Sequence, residues 1–150
     1  ALPQREGGGE SVVADPSDLY TKPELVPDFL AKTGIDALAI AFGTAHGFYS
    51  AQPKLDFDVV KNCAKATGLP LVMHGGSGVS EDDYREVIKR GVRKINYYTY
   101  MALAGGKAIK DFIESKGEGD NVFYHDIPGI AMEAMKENVK EAINIFSLEV

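Results

Sequence analysis

Several features that would define a class are scarce or missing. A single cysteine, Cys63, in 150 residues excludes an internal disulfide. It falls in an apolar-periodic stretch and reads as a small core residue, the usual fate of a free cysteine. No apolar run approaches the roughly 20 residues of a membrane-spanning helix. No charged-then-apolar leader opens the chain, so the cytoplasm is the expected compartment and a membrane is not an expected partner. Lys and Arg number 16 against 22 Asp and Glu, and they are scattered. A net charge of −6 with no basic stripe argues against nucleic acid. What is present, 45% hydrophobic and 25% charged residues, is an ordinary globular composition with enough apolar content for one core.

The opening "ALPQREGGGESVV" has three consecutive glycines, no periodicity and no capping signal. Residues 1–20 therefore read as a flexible loop already under way, with a segment expected before Ala1. A repeated pattern follows. "KPELVPDFLAKTG" has apolar residues at Leu25, Val26, Phe29 and Leu30, a helical spacing, and stops at Gly34. An apolar run from Ala37 to Phe42 fits a buried strand. "DFDVVKNCAKATG" places Phe57, Val60, Cys63 and Ala64 on one helical face and stops at Gly68. "LPLVM" is the second strand. "SEDDYREVIKRG" is a helix with Ser80 and acids at its start, Tyr84, Val87 and Ile88 inward, and Gly91 at its end. "VRKINYY" is the third strand, and helices over Met101 to Glu114 and Ile130 to Phe146 complete the pattern. Strand, loop and helix, repeated with near-continuous apolar strands, predict an α/β fold with a parallel sheet covered on both faces. Three units do not close a (β/α)₈ barrel. The pattern fits a small open sheet or the last part of a barrel.

Polar and glycine-rich clusters follow each strand: "FGTAHG", "MHGGSG" and "INYYT". Parallel strands present their C-terminal ends on one face, so His46, His74, Ser77, Asn96 and Thr99 are expected to converge. Two strand-end histidines can each offer a ring nitrogen to one metal ion, although catalytic zinc usually takes three protein ligands. His74 can equally cap a core and bond a backbone carbonyl. The run Gly75-Gly76-Ser77-Gly78 lets backbone approach an anion, with a helix start at Ser80 just beyond. A plain glycine-rich turn capped by Ser80 is the competing reading. Asp82 and Asp83 read as first-turn helix acids. Tyr97, Tyr98 and Tyr100 read as packing residues, and His125 as a surface or loop residue.

In this order and spacing, "GTAHGFY", "PLVMHGGSG" and "GVRKINYYT" resemble the class II, metal-dependent fructose- and tagatose-bisphosphate aldolases. The likeness runs from about Gly7 to Thr99 and more loosely into the last helix. It implies a (β/α)₈ TIM barrel, of which this chain supplies the last three βα units plus C-terminal helices, 1–150 being the C-terminal part of one barrel domain. His46 and His74 match two of the three histidines that hold the family's Zn2+. The third histidine, its neighbouring aspartate and a fifth-strand glutamate belong to the missing N-terminal half. Gly47, Gly75, Gly76, Ser77, Asn96 and Thr99 match the residues around the substrate phosphate, with a monovalent cation (Na+ or K+) nearby. The implied reaction is aldol cleavage of a ketose (bis)phosphate to dihydroxyacetone phosphate and an aldehyde, through a zinc-stabilised enediolate. Glu10, in "GGGES", lies in the loop that carries a general base in some members. Homo-oligomers are common in the family.

Two departures bear on substrate choice. Tyr97 and Tyr98 separate Asn96 from Thr99 where smaller residues are usual, and "FYHDIPG" replaces an arginine-bearing stretch before the last helix. Fructose, tagatose and other ketoses stay open. Two other readings stand beside the aldolase: a non-catalytic half-barrel that binds phosphate or metal, and another phosphate-binding barrel enzyme such as an isomerase. The paired histidines argue against the isomerase.

Overall fold

Helices begin and end where the local chemistry supplies caps. The Asp56 carboxylate accepts from the backbone amides of Asp58 and Val59, each at 3.0 Å, and so opens a helix over Phe57–Thr67 (α2). The Ser80 hydroxyl accepts from the Asp83 amide at 3.2 Å and opens Glu81–Lys89 (α3). Gly34 and Gly68 end their helices in the left-handed conformation, each donating its amide to the carbonyl four residues back.

A computed structural model describes residues 16–44 and 53–148. They fall into two compact units, one ending at Tyr97 and the other starting at Tyr98. The first contains two short 3-10 turns, Pro16–Leu19 and Pro23–Leu25, then α1 (Val26–Thr33) and β1 (Leu38–Ala39). After α2 come β2 (Leu71–Met73), α3 and β3 (Val92–Ile95). The second contains α4 (Thr99–Glu114) and α5 (Asp126–Phe146), packed on each other. No helix among the described residues is long and apolar enough to cross a membrane.

The sheet is parallel with order β1-β2-β3. Leu38 pairs with Leu71 and Ala39 with Val72; across the other edge Met73 pairs with Ile95. The central strand β2 is buried at all three residues, as expected of a parallel strand covered on both faces. Val60 and Cys63 of α2 and Val87 of α3 are completely buried with Leu71, Met73 and Val92. Each such aliphatic side chain contributes about 1.5–3 kcal/mol on burial. The α3–β3 turn is tight. Gly91 has φ +128°, and a Cβ there would lie 2.6 Å from the Cβ of Ala64 on α2. Only glycine fits that approach.

The observed elements depart from the sequence pattern at four places. The expected strand Ala37–Phe42 forms ladder pairs only at Leu38 and Ala39. Beyond them, both backbone polar groups of Ala41 are taken by Thr21: its amide donates to the Ala41 carbonyl, and its hydroxyl accepts from the Ala41 amide, each at 2.8 Å. Ile40 and Phe42 are buried nonetheless. The third strand stops at Ile95, and Tyr98 and Tyr100 are 69% and 41% exposed, so they are not the packing residues expected. Helix α5 starts at Asp126, four residues before the expected Ile130. Pro128 lies in its first turn, where the missing amide has no helical partner to lose.

Candidate functional site

The site is built at the C-terminal ends of β2 and β3. His74 directly follows β2 and is half-buried. The backbone amide of Asn96 donates to the Met73 carbonyl at 3.0 Å, which extends the ladder one residue past β3 and fixes Asn96 beside His74. The Asn96 side-chain nitrogen lies 2.8 Å from His74 Nδ1 and 3.1 Å from Nε2. Lys94 Nζ donates to the Asn96 side-chain oxygen. That contact assigns the amide orientation, because an ammonium has only donors to offer. The amide nitrogen, itself a donor, therefore faces the imidazole, and the ring must present an unprotonated nitrogen to accept from it.

The loop after His74 is held from below. The Gly76 carbonyl accepts from the Val79 amide at 3.0 Å and also from the Tyr84 hydroxyl on α3. Gly75 and Gly78 have φ of +66° and +95°, which lets the loop fold back over the strand end. At Gly76 the constraint is space. A Cβ there would lie 3.0 Å from the Tyr84 hydroxyl oxygen and 3.3 Å from its ring. Ser77 is 5% exposed and Gly75 and Gly76 are buried. The Ser80 cap takes the Asp83 amide, and Glu81, Asp82 and Asp83 fill the first turn of α3. An anion here is thus better served by the loop amides than by the end of α3, whose acids oppose it.

Thr44 closes the described part of the first cluster. It is fully buried, and its hydroxyl has no hydrogen-bond partner among the described residues. His46 and Gly47, two and three residues on, lie outside the described residues, as does Glu10. Thr99 is the first residue of α4 and belongs to the second unit, not to a strand end. Of the expected constellation, the first unit brings together His74, Gly75, Gly76, Ser77 and Asn96. His125 is exposed and stacks on Phe123 with ring centroids 5.4 Å apart.

The donor set bears on a metal. No group of three or more His, Cys, Asp and Glu side chains suited to a metal occurs among the described residues. His74 offers an imidazole, a donor of the right kind, and the one accepting nitrogen of its neutral ring faces the Asn96 amide. It fits one position of a zinc site where the metal takes the lone pair that Asn96 meets here. Sequence reasoning missed two contributors, the Lys94–Asn96–His74 chain, which carried no local signal, and the Tyr84 hydroxyl on Gly76. For Tyr84 a cue existed, because an inward-facing tyrosine has to find a partner for its hydroxyl.

A parallel βα assembly with a histidine and a glycine loop at one strand end defines an α/β protein of the parallel-sheet class. Comparison with known proteins narrows it. The family model for class II fructose-bisphosphate aldolase matches residues 4–149, and the chain belongs to that family. The D-tagatose-1,6-bisphosphate aldolase subunit GatY of Klebsiella oxytoca is 38% identical over 131 residues, covering 87% of this chain and 45% of that protein. The crystal structure of the YdjI aldolase from Escherichia coli K12 superposes with a TM-score of 0.74 at 35% identity, covering 85% of this chain and 46% of that one. The fructose-bisphosphate aldolase (Fba) of Campylobacter jejuni gives a TM-score of 0.72 at 25% identity, covering 93% of this chain and 49% of that one. The chain thus spans about half the length of the relatives it matches.

Proposed function

We propose that this chain is the C-terminal part of a single (β/α)₈ aldolase barrel and that, joined to an N-terminal half, it carries out aldol cleavage of a ketose (bis)phosphate. The products are dihydroxyacetone phosphate and an aldehyde. The observation that carries the reading is the family match over residues 4–149 together with His74 and the Gly75–Gly78 loop at one strand end. His74 and His46 would hold zinc with ligands from the N-terminal half. Zinc bound there would supply Lewis-acid polarisation of a substrate carbonyl.

The residues of this chain have their own tasks. Asn96 holds the His74 ring at the strand end by donating to its accepting nitrogen, a contact that zinc would replace. Gly47, Gly75, Gly76 and Ser77 present backbone and hydroxyl donors to the substrate phosphate, with Asn96 beside them, and Thr99 is the further phosphate residue that the family resemblance implies. A monovalent cation, Na+ or K+, would balance charge beside that phosphate. Glu10 takes a proton from substrate carbon as general base, a role that needs it within hydrogen-bond reach of that carbon's proton. The protein is placed in the cytoplasm as a homo-oligomer.

The test is a coupled assay for dihydroxyacetone phosphate release from fructose and tagatose bisphosphates, using the full-length protein and its His74→Ala variant. Release by the first and not the second supports the reading. A second reading, a half-barrel that binds without turning over, follows from a chain that spans about half the length of its relatives. An intact mass of about 150 residues, with phosphate binding and no turnover, would select it.

A further inference from the structure

The loop that would take the phosphate is held both from within and from α3. The Gly76 carbonyl is gripped by two donors, the Val79 amide within the loop and the Tyr84 hydroxyl from α3. Tyr84 is 4% exposed, so its phenol is sealed beneath the loop. A trans peptide points its N–H opposite to its C=O. With the Gly76 carbonyl turned down onto Tyr84, the Ser77 N–H is turned away from α3. No acceptor among the described residues takes that N–H, although Ser77 is only 5% exposed. A buried backbone donor without an acceptor is uncommon and points to a ligand group that meets it. Gly76 is the matching half of the device, because any Cβ there would press on the Tyr84 hydroxyl from 3.0 Å.

We infer that Tyr84 is a positioning residue for anion binding: its hydroxyl sets the Gly76–Ser77 peptide so that the Ser77 N–H is presented to a phosphate oxygen. The inference rests on the proposed phosphate role of this loop. Tyr84 touches no substrate. Its effect on the anion passes through the Gly76 carbonyl, so it alters affinity for the anion and not the chemistry of bond cleavage.

The experiment measures inorganic phosphate binding by titration calorimetry on the full-length protein, its Tyr84→Phe variant and its Val87→Ala variant. Phenylalanine keeps the ring and removes only the hydroxyl. Val87 is fully buried on the same helix one turn on, so its truncation loosens α3 without touching the loop carbonyl. Tyr84→Phe is expected to weaken phosphate binding about fivefold, the effect of one lost hydrogen bond. Val87→Ala is expected to lower the thermal midpoint and leave phosphate affinity within about twofold. Affinity of Tyr84→Phe within about twofold of wild type would overturn the inference and leave the phosphate role standing. Equal weakening in both variants would also overturn it, since loosening of α3 would then suffice. Absence of phosphate binding by the wild type would overturn the phosphate role and this inference together.

Discussion

Replacing Gly91 by alanine perturbs the tightest approach in the first unit. Two costs are set by the structure. At φ +128° an L-residue is strained, by about 1–3 kcal/mol. The new Cβ would also lie 2.6 Å from the Ala64 Cβ, an overlap between two short side chains that no rotamer change relieves. Overpacking of that kind costs about 1–3 kcal/mol. The sum, about 2–6 kcal/mol, is a large part of ordinary domain stability. Urea unfolding of the full-length protein should therefore show a midpoint lowered by about 1 M or more, with m about 1–3 kcal/mol/M. The two costs separate in a double-mutant cycle. Ala64→Gly removes the clashing partner, so Gly91→Ala should cost at least about 1 kcal/mol less in that background. A Gly91→Ala protein within about 0.5 kcal/mol of wild type would refute the reasoning, as would strict additivity in the cycle.

Other outcomes follow from the same structure. Asp56→Ala removes the acceptor for two amides at the start of α2 and should cost about 1 kcal/mol, read by thermal unfolding. Asn96→Ala removes the donor that occupies the His74 lone pair and should tighten zinc binding about 2–10-fold in a competitive chelator titration, with little change in fold. Burial, and then Glu24, raise the Cys63 thiol above its ordinary pKa. The folded state therefore keeps that proton longer than the unfolded chain, so its contribution is present below the unfolded thiol's pKa and is lost as pH rises through the folded value. Cys63→Ala should flatten that alkaline decline, and the native thiol should resist alkylating reagents until denaturant is added.

Much of the architecture was legible because punctuation and periodicity agreed. Gly34, Gly68 and Gly91 each ended a helical pattern in the sequence, and each has a positive φ in the structure. The apolar run at Leu71–Met73 marked the central strand, since only a strand covered on both faces is apolar at every position. Lengths were less legible. β1 is cut short because Thr21 captures the backbone of Ala41, a contact across 20 residues that no local pattern encodes. The inward phase of Tyr84 was legible, while the hydroxyl's partner depended on how a glycine loop folds over α3. His74 and Asn96 were assigned to one face by topology alone, and their 2.8 Å contact bears that out. His46, Gly47 and Glu10 lie outside the described residues.

The most direct measurement is the zinc content of the full-length protein, taken on the sample used for aldol cleavage and with His74→Ala prepared beside it. The account predicts about one zinc per chain in the active protein, and loss of both metal and dihydroxyacetone phosphate release in the variant. Undiminished zinc and turnover in His74→Ala would contradict it.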